Sequence, residues 1–260
     1  MSEYWKDRQA TAQQKLTERS TAEVEKQLRR YYKRTLNRVI KDFDYTFTKL
    51  HNTVIRDNKE ATPADLYKLD AYWWLQGQMR RELEKMGEYQ NELYNRSFVN
   101  HWLSIYTSID IGDNAQFANI DRNIAQQMIN AIWCADGKSW SSRIWHNTDI
   151  LQQTLNDGLI ECVLAGRDEK YLRQHLIERF SVSYSNADMI VRTELAHIQT
   201  QAAEQRYKDA GITEVEVWAD YDERRCDVCG ELHQKRFLVG SQIPIPAHPR
   251  CRCCIVPVVE

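Results

Sequence analysis

Glycine and proline, the residues that punctuate a chain, are scarce here. There are 9 and 5 of them among 260 residues, and three of the five prolines stand together at 244, 246 and 249. A chain with so few breaks is expected to form long helices and few loops, with irregular structure confined to its end. The irregular end is also where the cysteines gather. Five of the seven, at 226, 229, 251, 253 and 254, lie in the last thirty-five residues.

Cys226 and Cys229 form a C-x-x-C knuckle, and His248, Cys251 and Cys253 form a second cluster, H-P-x-C-x-C. Two short turns, each aiming two soft ligands at one point, suit a tetrahedral zinc ion, and the loop between them closes the site. Three other readings compete: free buried thiols, disulfides, and a redox C-x-x-C. The redox motif opens a helix in a βαβ setting, which is not the pattern here. Carboxylates at Asp222, Glu223 and Asp227 crowd the first cysteine and raise a thiol pKa rather than lower it. Structural zinc, one per chain, is the expectation. Its ligands are Cys226, Cys229 and His248, with Cys251 and Cys253 competing for the fourth place. Cys254 is expected to face away in a strand, and His233 to be an ordinary loop histidine. Four protein ligands leave no open position, so such a site is structural and not hydrolytic.

A net charge of −2 gives no global electrostatic case for nucleic acid. No run of about eighteen apolar residues is present, so no membrane span is expected, and the first residues lack an apolar signal core. Cys134 and Cys162 sit in helical patterns and read as small buried hydrophobes. A reducing cytosol is the expected site of synthesis, where clustered cysteines mean metal more often than disulfides.

In order along the chain, residues 1–20 read as a polar arm and 21–139 as a long-helix body. Val24, Leu28, Tyr32, Leu36, Val39, Phe43, Phe47, Leu50 and Val54 recur at steps of three and four, the seam of a helix over 21–56. Arg30, Arg34, Arg38 and Lys41 lie along one side of it. They read as a solvated face or as a stripe that tracks DNA or meets a partner. Thr62-Pro63-Ala64-Asp65 starts a second long helix after a turn near Asn58, and the two suggest a hairpin. Tyr72, Trp73 and Trp74 are expected in the core. After a loop at 109–114, helices follow over 120–133, 141–165 and 169–180, and Ser185 is expected to cap a last one ending at Gly211. Residues 140–212 thus read as a helical segment. Residues 213–260 read as a small β module with strands near 214–219, 236–239 and 254–259. The fold class expected is mostly α, a long helical hairpin or bundle with a small zinc-stapled α+β module at the C-terminus.

The order of features from Trp140 to Pro257 resembles the minor head protein family of tailed bacteriophages named after the Mu F protein. The residues that carry this are the helix opening at Trp140, Arg192-Thr193-Glu194, and Gly211 with a strand ending in Trp218. Asp222, Cys226-x-x-Cys229 and His248-Pro249-x-Cys251-Arg252-Cys253 complete the pattern. Two departures stand out. His197 to Gln201 occupies a stretch where similar proteins often carry asparagine, and Gln234-Lys235-Arg236 a stretch where glycine is common. The resemblance implies a virion protein with no enzymatic activity, inside the head near the portal and in the host cytoplasm during assembly. It implies a part in head morphogenesis, genome packaging and DNA ejection. The portal protein is the implied partner, with major capsid or scaffolding protein and packaged double-stranded DNA beside it. Arg192 and Glu194 stand two apart and cannot face each other on a helix. The expectation is a structural motif in which Arg192 bridges to a carboxylate of the zinc module or caps a row of carbonyls. A zinc-dependent nucleic-acid-binding regulator is the alternative reading, and an enzyme of phosphodiester or nucleotide chemistry using Arg192 and Glu194 stands behind both.

Overall fold

The computed structural model describes residues 2–57, 62–111, 122–219 and 225–259. The turn near Asn58, the end of the loop at 112–114, the helix start at Ile120, and Asp222 and Glu223 lie outside them. The elements are α1 (Glu3–Asp57), α2 (Pro63–Tyr67), α3 (Asp70–Ser108), α4 (Arg122–Asn130), α5 (Trp140–Leu164), α6 (Glu169–Asp209), β1 (Glu214–Trp218), α7 (Asp227–Leu232), β2 (Arg236–Leu238) and β3 (Cys254–Pro257). The mostly helical class with a small C-terminal sheet is therefore as expected. The chain divides into two compact units. One holds residues 1–25, 93–140 and 189–260, the other 26–92 and 141–188.

The second of these is a bundle of helix segments. Residues of α1 meet residues of α3 in descending order: Tyr31 stacks on Tyr89 with ring centroids 4.0 Å apart, Arg38 Nη1 donates to Glu82 at 2.9 Å, and Tyr45 lies 5.8 Å from Trp74. Pairing of that kind is an antiparallel hairpin. The seam residues Leu28, Tyr32, Val39, Phe43, Phe47 and Leu50 are buried, while Leu36 is half-buried. Asn147 of α5 donates to the carbonyl of Ser183 on α6 at 3.0 Å, and the Tyr32 hydroxyl reaches the same residue. Gly87 lets α3 and α5 approach, since a Cβ there would meet the Trp145 ring at 2.6 Å.

Several expectations on this bundle are corrected. Asp65 accepts from the Thr62 N–H at 3.0 Å and from its hydroxyl at 2.8 Å, so the helix start at Pro63 is real. Yet that helix stops at Tyr67, and a new one begins at Asp70. The break resets the register. Tyr72, Leu75, Met79, Leu83 and Met86 form the buried stripe, whereas Trp73 and Trp74 fall off it and are 59% and 43% exposed. The two tryptophans are surface residues, not core. No break separates 180 from 185 either. Ser183 spends its hydroxyl on Tyr32 and Asn147 within a continuous α6, and nothing in S-V-S-Y-S obliges a helix to end.

The other unit holds the sheet, with strand order β2-β1-β3, all antiparallel. Its register pairs Val215 with Phe237 on one side and Val217 with Ile255 on the other. Residues 1–20, expected as an arm, are helical from Glu3, and this helix covers the sheet. Ala10 packs with Trp218, Cys254 and Val256 in a buried cluster. Lys6 Nζ pairs with Glu216 at 2.7 Å with both side chains largely buried. Gln13 donates to the carbonyl of Ile255 at 3.1 Å, and Gln14 to that of Arg252 at 3.4 Å. Polar residues that look solvated in sequence are thus hydrogen-bonded across an interface.

Candidate metal centre

Two turns of opposite origin build this centre. Cys226 precedes α7 in an extended conformation, and its sulfur accepts the N–H of Cys229 at 3.4 Å, as a helix cap does. That donation holds the Cys226 thiol below its usual range. His248 and Cys251 flank a tight turn in which the N–H of Cys251 donates to the carbonyl of His248 at 3.2 Å. Arg250, inside that turn, has φ +62°, a conformation uncommon for residues other than glycine.

The turns bring their side chains together. His248 Nε2 lies 3.3 Å from Cys226 Sγ and 3.1 Å from Cys229 Sγ. Cys229 Sγ lies 3.8 Å from Cys251 Sγ. Cys226, Cys229 and His248 form one group whose donor atoms are all within 4.8 Å of each other, and Cys229, Cys251 and Cys253 form another. A tetrahedral zinc with Zn–S bonds of about 2.3 Å needs S···S edges of about 3.8 Å and S···N edges of about 3.5 Å. The Cys229–Cys251 separation matches the first, and the histidine contacts are slightly shorter than the second. The same separation is far from the roughly 2.05 Å of a disulfide. None of the seven cysteines, all among the described residues, is in a disulfide.

Charge argues in the same direction. Burial pushes the Cys229 thiol up to about 12. A hydrogen bond from Cys253 draws Cys251 down to about 5, and the same bond pushes Cys253 well up. Buried thiols crowded this closely cannot all ionise unless a cation joins them. The donor set therefore fits a metal ion.

His233 and Cys254 have other work. His233 Nδ1 accepts the Ala219 N–H at 3.2 Å beside the Trp218 ring. Cys254 is buried under α1, its sulfur 3.8 Å from the carbonyl of Trp218. Cys162 is buried as expected, and Cys134 is half-buried.

Arg192-Thr193-Glu194 divides its contacts three ways. Arg192 forms an ion pair with Glu25 of α1. Glu194 is buried and accepts from Trp133 Nε1 at 3.0 Å. Thr193 Oγ1 accepts the N–H of Arg250 at 3.1 Å and donates to the carbonyl of Met189 at 2.7 Å. The residue that joins this helix to the metal turn is thus the threonine, which sequence reasoning passed over. Its partner stands 57 positions away, and only its place between two charged neighbours marked it.

Arg30, Arg34, Arg38 and Lys41 are exposed on α1 in the other unit. Arg38 is engaged by Glu82.

Residues 153–256 match the family described as Phage Mu protein F like protein. Over that stretch the chain is similar to the Mu F-like family. The match spans all of the candidate metal ligands and Arg192-Thr193-Glu194. It begins inside α5 and ends in β3, so the first 152 residues of the chain, the helix over the sheet included, stand outside it. No curated protein and no solved structure matches the chain. Among the described residues, no helix is long and apolar enough to cross a membrane.

Proposed function

We propose that this chain is a minor head protein of a tailed phage, a virion component seated at the portal vertex that acts in head assembly and in genome packaging or ejection. The Mu F-like match over 153–256 carries the reading. The protein acts as a structural and interaction component and not as an enzyme. Contacts of Arg192 and Glu194 support this, because each is engaged by a residue of its own unit, Glu25 and Trp133, in a structural role. Its partners are the portal protein and other head proteins, with packaged DNA within reach of basic side chains.

The metal is zinc, one per chain. Cys226, Cys229 and His248 supply three ligands and Cys251, on the 3.8 Å edge to Cys229, the fourth, with the Cys253 thiol donating to it. Bound there, zinc supplies a cross-link between the two turns. The chain's own part is to hold the second turn in place through Thr193 and to cover the sheet with α1.

Locating the protein in an assembled particle tests the function. Density fitting residues 169–257 at the portal vertex, in copies matching the portal's symmetry, is the expected result. Its absence from purified heads, or a place in the tail, would overturn the reading.

A further inference from the structure

The candidate metal centre opens on a small surface pocket. Three arginines line it together with the ligands: Arg225 before the first knuckle, and Arg250 and Arg252 on either side of Cys251 in the second. Arg225 and Arg250 are exposed and Arg252 is half-buried. The Arg225 guanidinium folds back over α7, its Nε 3.8 Å from where a Cβ of Gly230 would stand. Arg250 is aimed by its left-handed backbone, which the Thr193 hydroxyl holds. Among the described residues, no carboxylate lines this pocket. The three guanidiniums have partners within the chain as well, so a ligand shares them and does not meet bare charges.

We infer that this pocket is a phosphate-binding site, and that its ligand is the backbone of double-stranded DNA. Guanidinium is a planar fork that donates in pairs to phosphate or carboxylate oxygens. Forks arriving from two separate chain segments cannot all lie in the plane of one carboxylate. They can share the tetrahedrally disposed oxygens of a phosphodiester. The loaded centre, resting on the metal reading above, does not cancel the arginines. Three thiolates, one neutral histidine and a divalent ion carry a net charge of −1, against +3 from the arginines. These groups by themselves sum to plus two. Charge of this kind, local to one face of a chain that is acidic overall, binds phosphate in a salt-dependent and sequence-independent way. The basic face of α1 is a separate feature in the other unit, and this inference does not use it.

The test is fluorescence anisotropy of the full-length, zinc-loaded protein with a labelled 20-base-pair duplex, over a series of salt concentrations. Replacing Arg225, Arg250 and Arg252 together by glutamine should weaken binding by roughly tenfold or more and lower the slope of log affinity against log salt by about 0.9 for each phosphate that is no longer neutralised. Arg→Lys at the same positions, which keeps charge and loses the fork, should retain the slope but not all of the affinity. Zinc content of every variant, measured by elemental analysis, separates loss of the metal from loss of the arginines. A protein without zinc whose arginine variants still lose DNA binding would remove the metal reading and leave the phosphate site. Unchanged affinity and slope in the zinc-loaded glutamine variant would overturn the site, as would no duplex binding by the parent. Competition by polyglutamate as effective as that by unlabelled duplex would also overturn it, assigning the patch to an acidic protein.

Discussion

The hydroxyl of Thr193, in the middle of a 41-residue helix, accepts the N–H of Arg250 at 3.1 Å, inside the turn between two candidate metal ligands. A left-handed residue in that turn is thereby fixed by a group that is itself anchored to the carbonyl of Met189. The metal turn takes its position from α6 rather than from its own short loop.

Thr193→Val keeps the shape and removes the acceptor. It should cost about 1–2 kcal/mol, read as roughly fivefold to thirtyfold weaker zinc binding in competition with a chromophoric chelator. Thr193→Ser should restore most of the affinity. Equal zinc affinity in parent and valine variant would show that the turn holds itself.

Chelation, or Cys226→Ser, should release the sheet. Hydrogen exchange is expected to rise over 214–257 and, because Ala10, Gln13 and Lys6 rest on that sheet, over the first turns of α1 too. The bundle of residues 26–92 and 141–188 should keep its protection. Cys251→Ser should reduce zinc occupancy more than Cys253→Ser. Native protection of 214–257 in metal-free protein would remove zinc from the account.

Acid should destabilise the unit that contains the sheet before any carboxylate titrates. His101 is 1% exposed, and burial holds it down to about 4; His197, against the Trp133 ring, is held down to about 4 for the same reason. A histidine kept neutral by folding binds its proton more readily in the unfolded chain. Its stabilisation is therefore complete above about pH 6.5 and is lost as the pH falls towards 4, at up to roughly 1.4 kcal/mol per pH unit for each histidine. His101→Gln, whose amide can still meet Thr17 and Ser20, should flatten that slope in denaturant titrations at pH 4.5 to 7. An unchanged slope would place the titration elsewhere.

Gly87→Ala should destabilise the bundle by about 1–3 kcal/mol, since the added methyl meets the Trp145 ring at 2.6 Å. Gly77→Ala is the matched control on the same helix. The nearest atom there is the end of Arg81 at 4.0 Å, and stability should rise by about 0.4–1 kcal/mol. Urea midpoints of both variants decide the matter, and equal shifts would mean that helix propensity alone is at work.

The strands and the metal cluster were legible because their signals are local. Alternation marks β1, and cysteine spacing marks the turns within a few residues. Trp73 and Trp74 misled because their place depends on a helix break at Lys68 and Leu69, where the residue types give no stop signal. Residues 1–20 misled for the opposite reason. Polar composition describes what a side chain can bond to, not where the partner is, and the partners of Lys6, Gln13 and Gln14 lie more than 190 positions away. The same distance hid the link from Thr193 to the turn.

Those long separations bear on the order in which the molecule can be made. Lys6 waits for Glu216, and Gln13 for Ile255, a span of 242 residues. A ribosome adding residues one by one delivers the opening helix long before the sheet that receives it. During synthesis the segment from Glu3 to Thr17 must either stay helical without its seat or remain unformed. The bundle of 26–92 and 141–188 can assemble well before that. Closing the unit around the sheet is thus the last act of folding, and its rate should be slow, as it is for any step that joins distant parts of a chain.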